Sequence, residues 1–211
     1  MKLLKLPFTL LIRIYYKLNP SQYRIDKWLN EGKPVPPPRE IKVKTIKEFN
    51  KKYPSKIFIE TGTFLGDTTF DLRKSFKFLY TIELSNELYL NATAKFKQYD
   101  NIEVLNGDSG IVLNNLLKKI KSVRILFWLD GHYSEGITAK SDLVTPIMNE
   151  LKSIREHEIS TGCNHVILID DAHLFNGIDD YPELNSFVGY CQTNFKERNI
   201  EIVNNIIVIN P

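Results

Sequence analysis

The chain has 211 residues, of which 43% are hydrophobic and 25% are charged. This composition is typical of a globular protein and excludes a disordered or fibrous one, and the length supports one substantial core. Two cysteines, Cys163 and Cys191, are too few for a disulfide framework or a four-thiolate zinc site. We therefore expect a reducing compartment, the cytoplasm. The net charge of +3 is unevenly distributed, since residues 1–56 carry a balance of +10 and residues 57–211 a balance of −7.

The N-terminal segment, residues 1–18, reads MKLLKLPFTLLIRIYYKL, and its longest uncharged run is seven residues. That run is far below the roughly 20 residues that cross a bilayer, and no small-residue cleavage site indicates a secretory signal. Two uses of such a basic, leucine-rich helix stay open. It lies on an anionic membrane surface, here the inner face, with Lys2, Lys5, Arg13 and Lys17 facing phosphates. Alternatively, it packs on its own domain or on a second subunit, and a homodimer is one expectation.

A proline-rich stretch at 33–38 predicts a stiff linker between two parts of the chain. We expect a basic helical arm with its linker over residues 1–40 and a Rossmann-like domain over residues 41–211.

Beyond the linker, short apolar runs alternate with helical patterns. Strands are predicted at 56–60, 78–83, 102–106, 124–129 and 165–169, and a hairpin at 200–209 turns at Asn204-Asn205. Helices are predicted over 42–52, over 85–99 with Ser85 as N-cap, and over 146–158 opened by Thr145-Pro146. The alternation indicates an α/β fold, an open sheet of mostly parallel strands with helices on both faces and a C-terminal antiparallel hairpin.

Polar residues follow each of the first five apolar runs. In an open α/β sheet, ligands bind outside the carboxyl ends of the strands, where the strand order reverses. Each run delivers at least one carboxylate to that edge, so the sequence predicts one acidic crevice. The strand ends read Glu60-Thr61-Gly62-Thr63-Phe64-Leu65-Gly66, Glu83, Gly107-Asp108-Ser109, Asp130-Gly131-His132 and Asp170-Asp171-Ala172-His173.

The turn after the first strand favours an adenosyl ligand over a polyphosphate. Only Gly62 and Gly66 are present and no Lys-Ser/Thr follows, which excludes a P-loop and the three-glycine dinucleotide fingerprint. Glu60 would repel a pyrophosphate but attract an ammonium or a sulfonium. Glu83 is placed to accept hydrogen bonds from ribose hydroxyls, and Asp108 to reach an adenine amino group. As structural alternatives, the glycines are ordinary turn residues, and Glu83 and Asp108 cap the helices that follow them.

Taken together, Glu-x-Gly-x-x-x-Gly after the first strand, an acid closing the second and Gly-Asp-Ser after the third resemble class I S-adenosylmethionine-dependent methyltransferases. The resemblance covers residues 56–211, and it departs from the family at Phe64, where a third glycine is common. It implies S-adenosyl-L-methionine as cofactor. It implies that Glu60, Gly62 and Gly66 border the methionine part, Glu83 holds the ribose, and Asp108 and Ser109 flank the adenine. The other residues expected to bind the cofactor are Thr61, Thr63 and Asp130.

The fourth and fifth strand ends supply the reactive half of the site, for which two hypotheses stay open. In the first, Asp130, Asp170 and Asp171 bind a divalent ion such as Mg²⁺, which activates an acceptor hydroxyl, and His132 accepts its proton. This pattern is similar to metal-dependent O-methyltransferases of the sugar-tailoring type. In the second, no metal binds: Asp130 holds the amino group of the cofactor, His132 or His173 is the base, and Asp171 orients the imidazole.

The sequence thus predicts an O-methyltransferase that acts on a hydroxyl of a small molecule or glycan, with His132, Asp130 and Asp171 as catalytic residues. A nucleic acid substrate is disfavoured because the site edge is acidic and repels phosphates. Residues 179–182 are predicted to form a loop and cap outside the site. The alternative function is a non-catalytic peripheral membrane or scaffold protein that keeps the fold and binds through its arm.

Overall fold

A computed structural model of the chain describes residues 8–131, 145–178 and 180–211, with side chains from Ile12 onward. The helices in these ranges are α1 Phe8–Leu18, α2 Pro20–Asn30, α3 Arg39–Lys52, α4 Asp67–Leu72, α5 Asn86–Phe96, α6 Ser109–Leu117, α7 Ile147–Thr161 and α8 Leu184–Asn194. The strands are β1 Ile57–Thr61, β2 Phe78–Glu83, β3 Ile102–Asn106, β4 Ile125–Leu129, β5 Val166–Ile169, β6 Asn199–Val203 and β7 Ile206–Asn210.

All seven strands form one sheet in the order β3-β2-β1-β4-β5-β7-β6. The first five strands run parallel to one another, and β7 is antiparallel to both β5 and β6. The hairpin turns at Asn204 and Asn205, whose φ angles of 52° and 63° suit a two-residue turn between twisted strands. The predicted fold class is therefore confirmed. The strand order reverses between β1 and β4, so the carboxyl ends of these two strands border the crevice.

The core lies on both faces of the sheet. On one face, side chains of α6, α7 and α8 pack on the central strands, and on the other face α3 and α4 do so. The strands β1, β4, β5 and β7 are buried along their whole length, because helices cover them on both sides. This explains why they read as uninterrupted apolar runs in the sequence.

Some helix boundaries differ from the prediction. Ser85 caps α5 as predicted, accepting a hydrogen bond from the Leu88 amide. In contrast, α7 begins one residue later than expected, with Pro146 as its N-cap rather than its first helical residue. The helix then continues to Thr161 and ends at Gly162, whose φ of 68° suits a glycine at a helix terminus.

The N-terminal helices connect to the body through α2. The Trp28 indole is buried and donates from Nε1 to the Pro34 carbonyl at 2.8 Å. Arg24 pairs with Glu40 at the start of α3 (Nε–Oε1 2.7 Å), and the Tyr16 hydroxyl of α1 donates to Asp26 of α2 at 2.9 Å. Within the described residues, no helix is both long and apolar enough to traverse a bilayer. The division into residues 1–40 and 41–211 stays a prediction.

A buried pair of histidines links α7 to the amino ends of β4 and β5. The Ile125 amide donates to His165 Nδ1 at 3.2 Å, His165 Nε2 lies 2.9 Å from His157 Nδ1, and His157 Nε2 lies 2.9 Å from the Ile120 carbonyl. Because the amide can only donate and the carbonyl can only accept, each ring carries one proton and both histidines are neutral. Burial lowers the pKa of His165 to about 3.

This array predicts a specific loss of stability in acid. In the unfolded chain a histidine binds a proton below pH ~6.5, whereas folded His165 stays neutral down to about pH 3. The unfolded state therefore gains protons in this window, and the free energy of unfolding falls by up to about 1.4 kcal/mol per pH unit. Between pH 6.5 and pH 5, the free energy of unfolding of the parent, measured in urea, should fall by roughly 1.6 kcal/mol more than that of His165→Asn.

The comparison with His165→Asn isolates the histidine, because the buried carboxyl groups titrate in both proteins. Equal pH slopes for the parent and the variant would show that His165 does not carry this effect.

Candidate active site

The turn between β1 and α4 approaches the end of β4 so closely that only glycine fits. Gly62 has a φ of 81°, and a Cβ atom added there would lie 2.3 Å from the Asp130 carbonyl oxygen. The Asp130 amide also donates to the Thr61 carbonyl at 3.1 Å, which joins the two strand ends. At Gly66, where φ is 70°, a Cβ atom would lie 2.8 Å from the Phe96 ring. Both glycines are therefore required by the backbone geometry.

Glu60 lies beneath this turn rather than at its surface. Its side chain is 2% exposed, and its Oε2 accepts hydrogen bonds from the hydroxyls of Thr69 at 2.6 Å and Thr81 at 2.7 Å. Burial raises the pKa of Glu60 to about 8, and the charges of Asp130 and Glu83 act in the same direction. Glu60 is thus mostly protonated at neutral pH. Its predicted contact with the cofactor stays a prediction.

Glu83 holds the middle of the same turn. Its Oε2 accepts from the Phe64 amide at 2.8 Å, and its Oε1 from the Ser85 amide at 2.9 Å. The first bond fixes Phe64 at a φ of 48°, a conformation that non-glycine residues rarely adopt. A carboxylate offers about four acceptor positions, so these bonds leave capacity for ribose hydroxyls.

The two threonines of the turn are buried. Thr61 lies under the end of β4, where the Asp130 amide also reaches its Oγ1 at 3.3 Å. The Thr63 hydroxyl lies 2.6 Å from that of Thr81. Both side chains brace the turn, and their contact with a cofactor stays a prediction.

The end of β3 supplies a helix cap and a buried carboxyl contact. Asp108 is the N-cap of α6, its Oδ1 accepting from the Gly110 amide at 2.8 Å, so its capping alternative is observed. The Ser109 hydroxyl donates to Oε1 of Glu150 on α7 at 2.6 Å. Burial raises the pKa of Glu150 to about 7, and the charges of Asp108 and Asp130 act in the same direction.

Sequence reasoning missed Glu150, although a signal was available. On the predicted helix over 146–158, Glu150 falls on the same face as Ile147, Leu151 and Ile154. An acid within an apolar helix face is expensive to bury unless it finds a partner. That position therefore indicates a buried contact, here with Ser109 and Thr61.

The carboxyl ends of β4 and β5 bring together the three predicted metal ligands. One carboxylate oxygen from each of Asp130, Asp170 and Asp171 lies within 4.8 Å of the others. We call these three residues the carboxylate triad. Burial raises the pKa of Asp170, and the charge of Asp130 adds to this effect. Three carboxylate oxygens at this spacing are the donors that Mg²⁺ prefers, so the residues fit a divalent ion.

Lys42 of α3 also belongs to this cluster, and sequence reasoning missed it. Its ammonium forms an ion pair with Asp170 Oδ2 and lies 3.7 Å from Asp171 Oδ1. Burial lowers the pKa of Lys42, but the charges of Asp170, Asp130 and Asp171 outweigh burial and raise it above its ordinary value. Nothing in the local sequence distinguishes Lys42 from its exposed neighbours on the same helix.

Comparison with known proteins gives structural matches only. No protein-family model and no curated protein matches the sequence. Many solved structures superpose on it, among them the following three. The methyltransferase PaMTH1 of Podospora anserina, bound to S-adenosylhomocysteine (SAH), is 13% identical, with a TM-score of 0.59 over 100% of this chain and 98% of that one. An O-methyltransferase of Bacillus cereus in complex with SAH is 12% identical, with a TM-score of 0.54 over 90% of each chain.

The third structure is the O-methyltransferase TomG of Streptomyces achromogenes, involved in tomaymycin synthesis and in complex with S-adenosylmethionine (SAM). It is 12% identical, with a TM-score of 0.53 over 90% of this chain and 87% of that one. The chain has the class I methyltransferase fold. The resemblance noted in the sequence is thus confirmed at the level of the fold.

The two histidines that the sequence offers as candidate bases, His132 and His173, have different outcomes. His132 lies outside the described residues. His173 follows β5 in a 3₁₀ turn, where Asn205 Nδ2 lies 2.9 Å from its Nδ1 and Asp171 Oδ1 lies 3.9 Å away. The contact with Asn205, which joins β6 to β7, fixes the imidazole beside the triad.

The segment expected to form a loop and cap contributes to the crevice instead. Tyr181 lines it together with Asp130, Glu150 and Asp170, and burial raises the pKa of its hydroxyl. The cap of α8 is Glu183, whose carboxylate accepts from the Ser186 amide at 3.1 Å. No pattern in the sequence around Tyr181, which follows two aspartates, predicts that it lines the crevice.

The geometry at Gly62 predicts that adding a single methyl group there lowers the stability of the protein strongly. Gly62→Ala places Cβ against the Asp130 backbone at a positive φ, so the two strand ends must separate. We expect a loss of at least about 2 kcal/mol in the free energy of unfolding, measured by urea denaturation.

The matched control is Gly189→Ala in α8, where an added Cβ meets no atom within 4 Å. It should raise stability by roughly 0.5–1 kcal/mol, because alanine favours helix. A Gly62→Ala protein as stable as the parent would contradict the close approach of β1 and β4.

Proposed function

We propose that this protein is a SAM-dependent O-methyltransferase that acts on a hydroxyl of a small molecule or glycan. The observation that carries the proposal is the position of the carboxylate triad directly beside the glycine turn, where β1 and β4 end. Similar folds in PaMTH1 with SAH and in TomG with SAM support it. The non-catalytic alternative does not require an acidic crevice at this point.

The turn and the neighbouring strand ends would hold the cofactor. SAM supplies a methyl group on a positively charged sulfur. In our proposal the backbone around Gly62 and Gly66 borders the methionine part, Glu83 accepts the ribose hydroxyls, and Asp108 with Ser109 flanks the adenine. Because Glu60 is mostly protonated at neutral pH, we assign it to bracing the turn and assign the charge facing the sulfonium to Asp130.

The triad would hold and activate the acceptor. A divalent ion bound by Asp130, Asp170 and Asp171 would supply Lewis-acid activation of a hydroxyl at neutral pH. The acceptor oxygen attacks the methyl carbon, the carbon–sulfur bond breaks, and the hydroxyl proton goes to a base. We propose His132 as that base, and alignment by the crevice as the main contribution of the protein.

The decisive experiment measures SAH binding by calorimetry, with and without Mg²⁺, and then methyl transfer to a panel of hydroxylated acceptors. Asp130→Asn should lower the rate of transfer by about 100-fold or more while the protein still folds. Asp100→Asn, an exposed residue before β3 at the opposite edge of the sheet, should leave the rate unchanged. No SAH binding at millimolar concentration would exclude the proposed function.

The arm supports a separate proposal, namely that α1 contacts an anionic membrane surface. Ile12, Tyr15 and Leu18 recur every three residues on one face of α1, and they are 39%, 51% and 74% exposed. Arg13 and Lys17 are also exposed, and the helix contains no acid. An apolar face flanked by cations is the arrangement that suits a helix lying in an interface.

This predicts binding to vesicles of phosphatidylcholine with phosphatidylglycerol, and weak binding to phosphatidylcholine alone. Reversing both cations, in Arg13→Glu with Lys17→Glu, should weaken binding at least about tenfold. The control reverses Lys51 and Lys52 at the end of α3, which are also exposed. Equal binding to neutral and anionic vesicles would contradict this proposal. A dimer of the parent that dissociates in the Arg13→Glu, Lys17→Glu variant would indicate instead that α1 packs on a second subunit.

A further inference from the structure

A lysine from outside the sheet, Lys42, contacts two of the three carboxylates of the triad. Lys42 lies near the start of α3, and its side chain is 18% exposed where it meets Asp170, the residue after β5. Lys44, on the same helix, is 62% exposed, and its ammonium lies 3.9 Å from Glu48 one turn further along that helix. The contact of Lys42 therefore belongs to the site and is not a general property of the helix.

The Lys42 ammonium and a divalent ion would compete for the same carboxylates, those of Asp170 and Asp171. Asp170 Oδ1 accepts from the Asp171 amide at 2.8 Å, and Oδ2 pairs with Lys42. Both oxygens of Asp170 are thus engaged within the protein. An ion bound to Asp170 would lie within a few ångströms of a second positive charge in a buried site, where such repulsion is weakly screened.

We infer that Lys42 is an internal competitor for the divalent cation: an ion enters the triad only as the Lys42 ammonium leaves Asp170. The triad carries three carboxylates, and Lys42 carries one positive charge. The Lys42–Asp170 ion pair therefore stabilises the buried Asp170 when no divalent ion is bound. The parent protein then binds divalent ions more weakly than the triad alone would. The inference rests on the proposed function in one respect, namely the expectation that the triad binds a divalent ion.

The first test measures Mn²⁺ and Mg²⁺ binding to the full-length chain by calorimetry, with Mn²⁺ also followed by electron paramagnetic resonance. No cofactor or acceptor is added. Lys42→Met, which removes the charge but keeps an unbranched side chain, should bind Mn²⁺ at least about tenfold more tightly than the parent. Lys42→Arg keeps the charge and should bind like the parent, as should the control Lys44→Met. A Lys42→Met affinity equal to or weaker than that of the parent overturns the inference.

A second measurement needs no variant, so it tests the inference even if Lys42→Met fails to fold. Amine acylation of the parent, read out by peptide mass spectrometry, reports how accessible each lysine is. With Mg²⁺, Lys42 should react faster than in NaCl of equal ionic strength, whereas Lys44 should not change. Unchanged or greater protection of Lys42 overturns the inference. SAH binding is measured independently, so failure of the methyltransferase proposal and failure of this one give different results.

Discussion

The carboxyl ends of β1 and β4 contact each other mainly through their backbones, and the crevice depends on this contact. The Cβ-free Gly62 lies against the Asp130 carbonyl, while the Asp130 amide bonds to Thr61. The glycine turn and the first aspartate of the triad are therefore held in one rigid arrangement. A cofactor placed along the turn would have its reactive end at Asp130, beside the residues that β5 contributes.

The acids around this contact are stabilised by protonation, by hydrogen bonds and by a counter-ion. Glu60 is buried with two threonine hydroxyls and a raised pKa, so it is mostly neutral. Glu150 accepts from Ser109 and also has a raised pKa. Asp170 instead pairs with a cation, Lys42. Burying a charge costs free energy unless a proton, a hydrogen bond or a counter-ion offsets it, and this crevice uses all three. In our inference, it is the counter-ion Lys42 that a divalent cation replaces.

The strands and the strand-end residues were predictable, whereas the partners of those residues were not. A strand covered on both faces is an apolar run, and its end is visible where polar residues begin, as at Glu60 and Asp130. Ser109–Glu150 and Lys42–Asp170 join residues 41 and 128 positions apart. Such pairs depend on how helices pack over the sheet, which local patterns do not encode. The capping role of Asp108 was foreseen as an alternative because it depends only on its immediate neighbours.

The helix that carries Lys42 also connects the arm to the site. α3 begins at Arg39, two residues before the predicted start of the domain, and Glu40 pairs with Arg24 of α2. Thr45 accepts from Asn204 in the hairpin at 3.1 Å, close to the residues that position His173. A shift of α3 large enough to withdraw Lys42 from Asp170 therefore strains contacts with both the arm and the hairpin. Movement of the Lys42 side chain alone breaks fewer contacts, so rotation about its own bonds is the easier route by which the triad exchanges its cation.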